Sequence, residues 1–444
     1  MMRGGYKEPP KFLQRDRITV DTGQEPYVAD CTADGSVVVL GSQKDDGGGT
    51  NAGAVYIVEN NNAALTLAAE LTGTLNSDGT VQGFGNVSHN NYGPTVPVAV
   101  NDAGTNVFVG VPKWKDGSGV EAGKVEIYGS SSAGWGVVQT LSNPSAEQDQ
   151  DMFGAAIYLN EDRGILAIGA TREESGTNET ADTKPGTVYI YHSASSGWEL
   201  AQTIEFPLAT NIHQHSFGST ITINGSKMAI GAPWALESVY IYESGSANGW
   251  EYVQKIQETA YGYSHFGEEV QFSSDGRYLA IGQPEDRYDP AAGVYVRGGS
   301  VIVCESGSSG WAQTQLIQAP DIVDEQENGT QFGICVDFFA QQTGASTYYK
   351  LTIGQPIRQK QSTGDPNFYR GTVHVYESKQ EGSEHVDFSR HQELLPESTS
   401  HARFGTGLIG SSDGKWMFVD AIRDIADGVW AAGSLYLYEW SDEY

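Results

Sequence analysis

The chain has 444 residues, with 55 Gly, 11% aromatic and 18% charged residues, which is the balance of a turn-rich β protein and not of a disordered chain. Its 56 Asp and Glu outweigh 26 Lys and Arg to leave a net charge of −30, a field that repels phosphate backbones and anionic lipid, so nucleic-acid and membrane partners are not expected. Cys31, Cys304 and Cys335 are too few for a disulfide scaffold and match no metal or redox spacing.

Residues 1–20 (MMRGGYKEPPKFLQRDRITV) contain no apolar stretch of the signal-peptide kind, and no run in the chain approaches the roughly 18 apolar residues of a membrane span. Within them, 12–20 alternates apolar and polar residues and carries a Gln, as a strand would.

Seven units follow, at approximately 21–75, 84–142, 150–205, 214–257, 263–318, 330–396 and 402–444. Each opens on an aromatic residue, usually before Gly. In chain order these are Tyr27-Val28, Tyr92-Gly93, Phe153-Gly154, Phe217-Gly218, Phe266-Gly267, Phe332-Gly333 and Phe404-Gly405. Phe84-Gly85 lies too far from the next turn, and Tyr92 is preferred. A tight turn comes next, as at Asp34-Gly35, Asn224-Gly225, Asp275-Gly276 and Asp413-Gly414, where Gly supplies positive φ for a hairpin. A strand of the AIGAP type follows (167–171, 229–233), then one of the GxVYIY type (53–58, 123–128, 186–191, 238–242, 299–304, 371–376, 433–438). Four units add a GWxxxQxL strand, at 134–141, 197–204, 249–256 and 310–317. Units one and six have degenerate versions of it, and unit seven has none.

Four antiparallel strands, A to D, repeated seven times predict one all-β domain over 1–444, a seven-bladed β-propeller. The missing last strand is expected from 12–20, so that the N-terminal strand completes the last blade and closes the ring.

The pattern FG, DG, IGAP and GxVYIY resembles the FG-GAP repeat family, best known from the propeller heads of integrin α subunits. The resemblance covers nearly the whole chain. It implies partner binding on the face of the B–C and D–A loops, and calcium in the A–B loops. Here those turns (TADGS, NDAGTN, NEDRG, INGS, SSDGR, SSDGK) lack the alternating oxygens calcium requires, so no cofactor and no metal is expected. Asp45 and Asp46 are the one weak alternative.

The FG aromatics are read as wedges between blades, and the recurrent Trp135, Trp198, Trp250 and Trp311 as packing residues. Recognition is expected from the B–C loops, through Trp114, Arg172, Arg287, Tyr288, Arg358, Tyr369 and Arg370. His89, His213, His215, His265 and His401 precede the aromatic-Gly pairs and are expected near the axis. No nucleophile elbow, zinc motif or phosphate loop appears.

The expectation is a non-enzymatic binding or structural propeller on a virion or extracellular surface, held by other subunits of an assembly or by a surface glycan or receptor. A cytoplasmic location stays open. The alternatives are an intracellular scaffold and a propeller hydrolase or lyase acting on polysaccharide. The enzyme would be marked by acids clustered with a His or Tyr at the axial mouth.

Overall fold

The Val-Tyr-Ile-Tyr phrases bury both faces because each blade is sandwiched between two others. Tyr56, Tyr240 and Tyr436 are among the largest side chains wholly removed from water. In the computed structural model they belong to seven four-stranded antiparallel sheets. The structure describes residues 11–20, 25–42, 53–72, 97–145, 151–171, 186–207, 216–234, 237–245, 249–257, 264–284, 287–289, 294–296, 298–320, 329–343, 346–357, 370–381, 387–397, 402–424 and 433–441.

Blade 3 is representative: strand A is Phe153–Asn160, B is Ile165–Ala170, C is Thr187–Ala194 and D is Gly197–Glu205, hydrogen-bonded in that order. Strand B is buried throughout, whereas strand D is exposed or half-buried except at Ile204, as an outer edge should be. Neighbouring A strands lie side by side right round the ring, blade 7 against blade 1 included.

Blade 7 consists of Phe404–Gly410, Trp416–Ala421, Ser434–Ser441 and, outermost, Lys11–Thr19. The closing strand runs antiparallel to Ser434–Ser441, with Phe12 opposite Trp440 and Ile18 opposite Leu435. It is shifted one residue from the expected 12–20, and Val20, just past its end, is buried.

The repeat signature is a locking device between blades. A Cβ added to Gly110, Gly169, Gly231, Gly282 or Gly354 in a B strand would overlap the carbonyl oxygen of Gly154, Gly218, Gly267, Gly333 or Gly405 of the next blade. The aromatic beside each of those glycines wedges into the same seam, and Phe153, Phe217, Phe266, Phe332 and Phe404 are fully buried. The wedge reading holds.

An outer ring of ties completes each junction. The Gln139 side chain donates to the Trp198 carbonyl and accepts from its N–H, both at 2.9 Å. Gln202–Trp250, Gln254–Trp311, Gln315–Phe388 and Gln392–Phe12 repeat the arrangement at 2.7–2.9 Å. Trp198, Trp250 and Trp311 therefore serve packing and these backbone ties, while Trp135 packs against the core without one.

Candidate functional site: the axial channel

The seven A strands enclose a cavity of about 910 Å³ on the ring axis. Its described lining carries seven carboxyl groups (Asp30, Asp102, Glu161, Asp162, Glu268, Glu269 and Asp337) and no Lys, Arg or His.

Strand register sets the level of each side chain. Asp30, Ala99, Tyr158, Thr222, Gln271, Asp337 and Ile409 each face the B-strand residue two before the locking position, so they form one ring. Several members reach to the next blade. Asp30 Oδ2 accepts from the Val100 N–H at 2.9 Å, and Tyr158 Oη donates to the Ile223 carbonyl at 2.9 Å. Thr222 Oγ1 bonds Gln271 Oε1 at 3.2 Å, and Asp337 accepts from the Gly410 N–H. Asp30 also accepts from its neighbour's N–H, that of Cys31, at 2.9 Å. Asp30 and Asp337 are thus committed to backbone donors.

Glu269 sits two residues above that ring, opposite Gly282. Burial pushes its carboxyl up to about 8, reinforced by the like charges of Glu268 and Asp337. Burial likewise raises Asp30 to about 7 and Asp337 to about 6, against the opposing pull of their backbone N–H donors. Cys31 and Cys335 also line the channel, and burial holds both thiols well above their usual range, which makes them poor nucleophiles.

The upper rim is built by a recurring turn. The residue before each wedge aromatic has positive φ although it is not glycine: Met152 at 52°, Ser216 at 48°, His265 at 56°, Gln331 at 57° and Arg403 at 50°. In four blades its carbonyl accepts from the N–H three residues on, those of Ala155, Ser219, Glu268 and Ile334, at 3.0–3.1 Å. These turns start the A strands and place Ala155, Ser219, Glu268 and Ile334 on the channel wall.

The junction from blade 4 to blade 5 differs from the others. Glu237, with φ of 42°, stands where the other blades have a glycine before strand C. Its carboxylate accepts from the Ser264 N–H at 2.6 Å and the Ser264 hydroxyl at 3.0 Å. Burial raises its pKa. The next residue, His265, lies 4.7 Å from the Trp234 ring, and its Nδ1 is 3.5 Å from Glu268 Oε2.

The predicted recognition residues fare unevenly. Trp114 of blade 2 is half-buried, with Lys124 Nζ 5.1 Å above its ring, while Lys124 pairs with Glu126 at 2.6 Å. Arg370 of blade 6 donates to the Pro396 carbonyl at 2.6 Å, and its own carbonyl receives the Phe404 N–H. Both therefore make intramolecular contacts on the expected face. Arg287 and Tyr288 lie on a short hairpin, Arg287–Asp289 paired with Val294–Val296, of which only the backbone is described. Arg172, Arg358, Tyr369, His89, His213, His215 and His401 lie outside the described residues, as do Asp45, Asp46, Phe84 and Tyr92. His265 is the one predicted histidine among the described residues; it lies in the turn before Phe266 and is not in the cavity lining.

Asp30, Glu268, Glu269 and Asp337 were missed as site residues. The available signal was an acid inside an otherwise apolar inner strand, as in YVADC or ICVDF. Among the described residues no three His, Cys, Asp or Glu side chains converge as metal ligands, and no helix is long and apolar enough to cross a membrane.

No protein-family model matches the chain, and neither does any curated protein sequence. Solved structures do resemble it. A protein from Lactobacillus plantarum has 13% identity and a TM-score of 0.49, with 85% of this chain and 86% of that one covered. The periplasmic gluconolactonase of Pseudomonas aeruginosa has 12% identity and a TM-score of 0.48, covering 83% and 85%. Kuenenia stuttgartiensis hydrazine synthase has 12% identity and a TM-score of 0.49, covering 92% and 96%. Likenesses this distant transfer no activity. Two of the three are nonetheless enzymes by description, and none is described as a virion or adhesion component. The expected recognition role on a virion or cell surface is corrected: nothing in these comparisons supports it.

Proposed function

We propose that the protein is an acid–base enzyme, a hydrolase or lyase acting on a sugar substrate in the axial channel. The observation that carries this is the setting of Glu269. It lines the channel, and its burial beside Glu268 and Asp337 keeps its carboxyl protonated near neutral pH. Of the three channel acids that burial raises, Asp30 and Asp337 spend their oxygens on backbone N–H groups, which leaves Glu269 to give a proton to a leaving oxygen. Glu268, with His265 behind it, is placed to receive a proton from water or from the sugar. A cavity of about 910 Å³ has the size of a small-ligand site. The acid cluster with Tyr158 and His265 is the feature that distinguishes the enzyme alternative in the sequence. We also read the wedge and glycine positions as those of an FG-GAP propeller.

The test is turnover of a panel of chromogenic glycosides. Glu269→Gln should lower kcat at least 100-fold, the span of general acid catalysis, without moving the melting temperature. A general acid must hold its proton, so wild-type activity should fall as pH rises through about 8. Turnover untouched by Glu269→Gln, or no turnover of any glycoside, overturns the proposal.

A further inference from the structure

We infer that the outer rim between blades 1 and 2 is a binding notch for a glutamine side chain, presented by an extended basic segment of a partner protein. The notch is separate from the axial channel and independent of the chemistry proposed there.

The molecule itself shows what the notch takes. At five junctions an outer Gln bonds both the N–H and the C=O of one residue on the edge of the next blade: Trp198, Trp250, Trp311, Phe388 or Phe12. At the closing junction Asp16 accepts from the Leu65 N–H instead. The junction from blade 1 to blade 2 is the one left. Trp135 pairs with Ser130 as Trp198 pairs with Ser193, so its N–H and C=O point out of the sheet edge in the same way. The residue in register with the outer Gln is Ala69, opposite Ile57, and its side chain ends at a methyl. The space beside it is open. A Cβ on Gly197 or Gly310 would overlap Oε1 of Gln139 or Gln254, whereas one on Gly134, the same position in blade 2, meets no atom of the described residues within 4 Å. An edge N–H and C=O left open in this way are a template for another chain.

The walls choose the partner. On blade 2 they are the half-buried Trp135 and Val137, which is 49% exposed and lies opposite Tyr128 of the core shared with blade 1. On blade 1 they are Ala69 and the exposed rung of Thr66 and Glu59, the latter opposite Val37 of that same core. Strand Gly134–Ser142 has no charged residue, so the charge at these walls is that of Glu59. A Lys or Arg on the incoming segment complements it. An Asp or Glu in place of the Gln would add a second anion and leave the Trp135 C=O without a donor. The ligand is therefore a carboxamide flanked by apolar and basic residues.

The experiment is fluorescence anisotropy of the full chain with a labelled peptide, acetyl-Lys-Val-Gln-Val-Lys-amide. Peptides with Leu or Glu in place of the Gln should bind at least tenfold more weakly. A peptide with Glu in place of both Lys should bind about threefold more weakly, a difference that Glu59→Gln should erase. Ala69→Gln supplies the missing amide from within, so it should weaken the peptide at least tenfold without lowering the melting temperature. Ala69→Ser, too short to reach, should bind as the wild type does. In protein carrying 15N at its nine tryptophans, the peptide should shift the backbone amide of Trp135, identified by its absence from Trp135→Phe. No binding of the Gln peptide, binding indifferent to Ala69→Gln, or shifts at other tryptophans without Trp135 overturns the notch. A wild-type dimer that Ala69→Gln dissolves gives the notch to a second copy of the chain and overturns the basic partner.

Discussion

The five junctions from blade 2 to blade 7 follow one rule, and the two that flank blade 1 break it. In the regular junctions a glycine admits the next blade's backbone, an aromatic wedges the seam, and an outer Gln ties the edge. At the junction from blade 7 to blade 1 the glycine is replaced by Asp420, which is wholly buried. Its carboxylate accepts from the backbone N–H groups of Val28, Thr406 and Gly407 at 2.9–3.1 Å. Asp16 takes the place of the outer Gln and accepts from the Leu65 N–H at 2.6 Å. Between blades 1 and 2 the Gln position holds Ala69, and the described ties lie elsewhere: Asp102 Oδ1 accepts from the Ala33 N–H at 3.0 Å and Asp30 Oδ2 from the Val100 N–H at 2.9 Å. Shape holds the regular junctions, whereas a buried carboxyl group meeting backbone N–H groups holds the closing one.

The contrast can be broken from either side. Gly231→Val drives a side chain into the Gly267 carbonyl and should cost about 4 kcal/mol, read as a lower urea midpoint. An unchanged midpoint would mean the junction yields, and the shape argument fails. Asp420→Ala leaves three buried N–H groups unpaired and should cost about 3 kcal/mol. A loss below about 1 kcal/mol would show that the clasp is dispensable. The smallest effects test the outer ties. Gln202→Leu should lose about 1 kcal/mol, and Ala69→Gln should gain a similar amount by giving blade 1 the tie it lacks. A neutral Ala69→Gln beside a costly Gln202→Leu would place blade 1 out of reach of Trp135.

Much of this was legible because repetition separates packing from chemistry. Seven variants of the GxVYIY phrase and four of Gly-Trp fix strands C and D, and the missing last strand points to residues near 12. The channel acids were not legible, because they depend on register. Asp337 and Gln271 share a level only once each is paired with its B strand, and strand lengths differ between blades. Asp420 stood in plain view as FVDAI against AIGAP. Without the geometry, an Asp in a glycine position reads as drift and not as the closing clasp. Trp114 and Arg370 were singled out by residue type, and type does not reveal that Lys124 and the Pro396 carbonyl already occupy them.

The strand Lys11–Thr19 carries a consequence in time. Its partners, Ser434–Ser441, are synthesised only after the intervening blades, so this strand must wait for them before it can pair. Ring closure thus joins residues almost the full chain length apart, the kind of contact that forms slowly. Once formed, it puts both ends of the ring in one sheet, where Phe12 is held by Gln392 on one side and Trp440 on the other. Peeling from either end must first break that sheet, so a fold that assembles late is also one that lets go slowly.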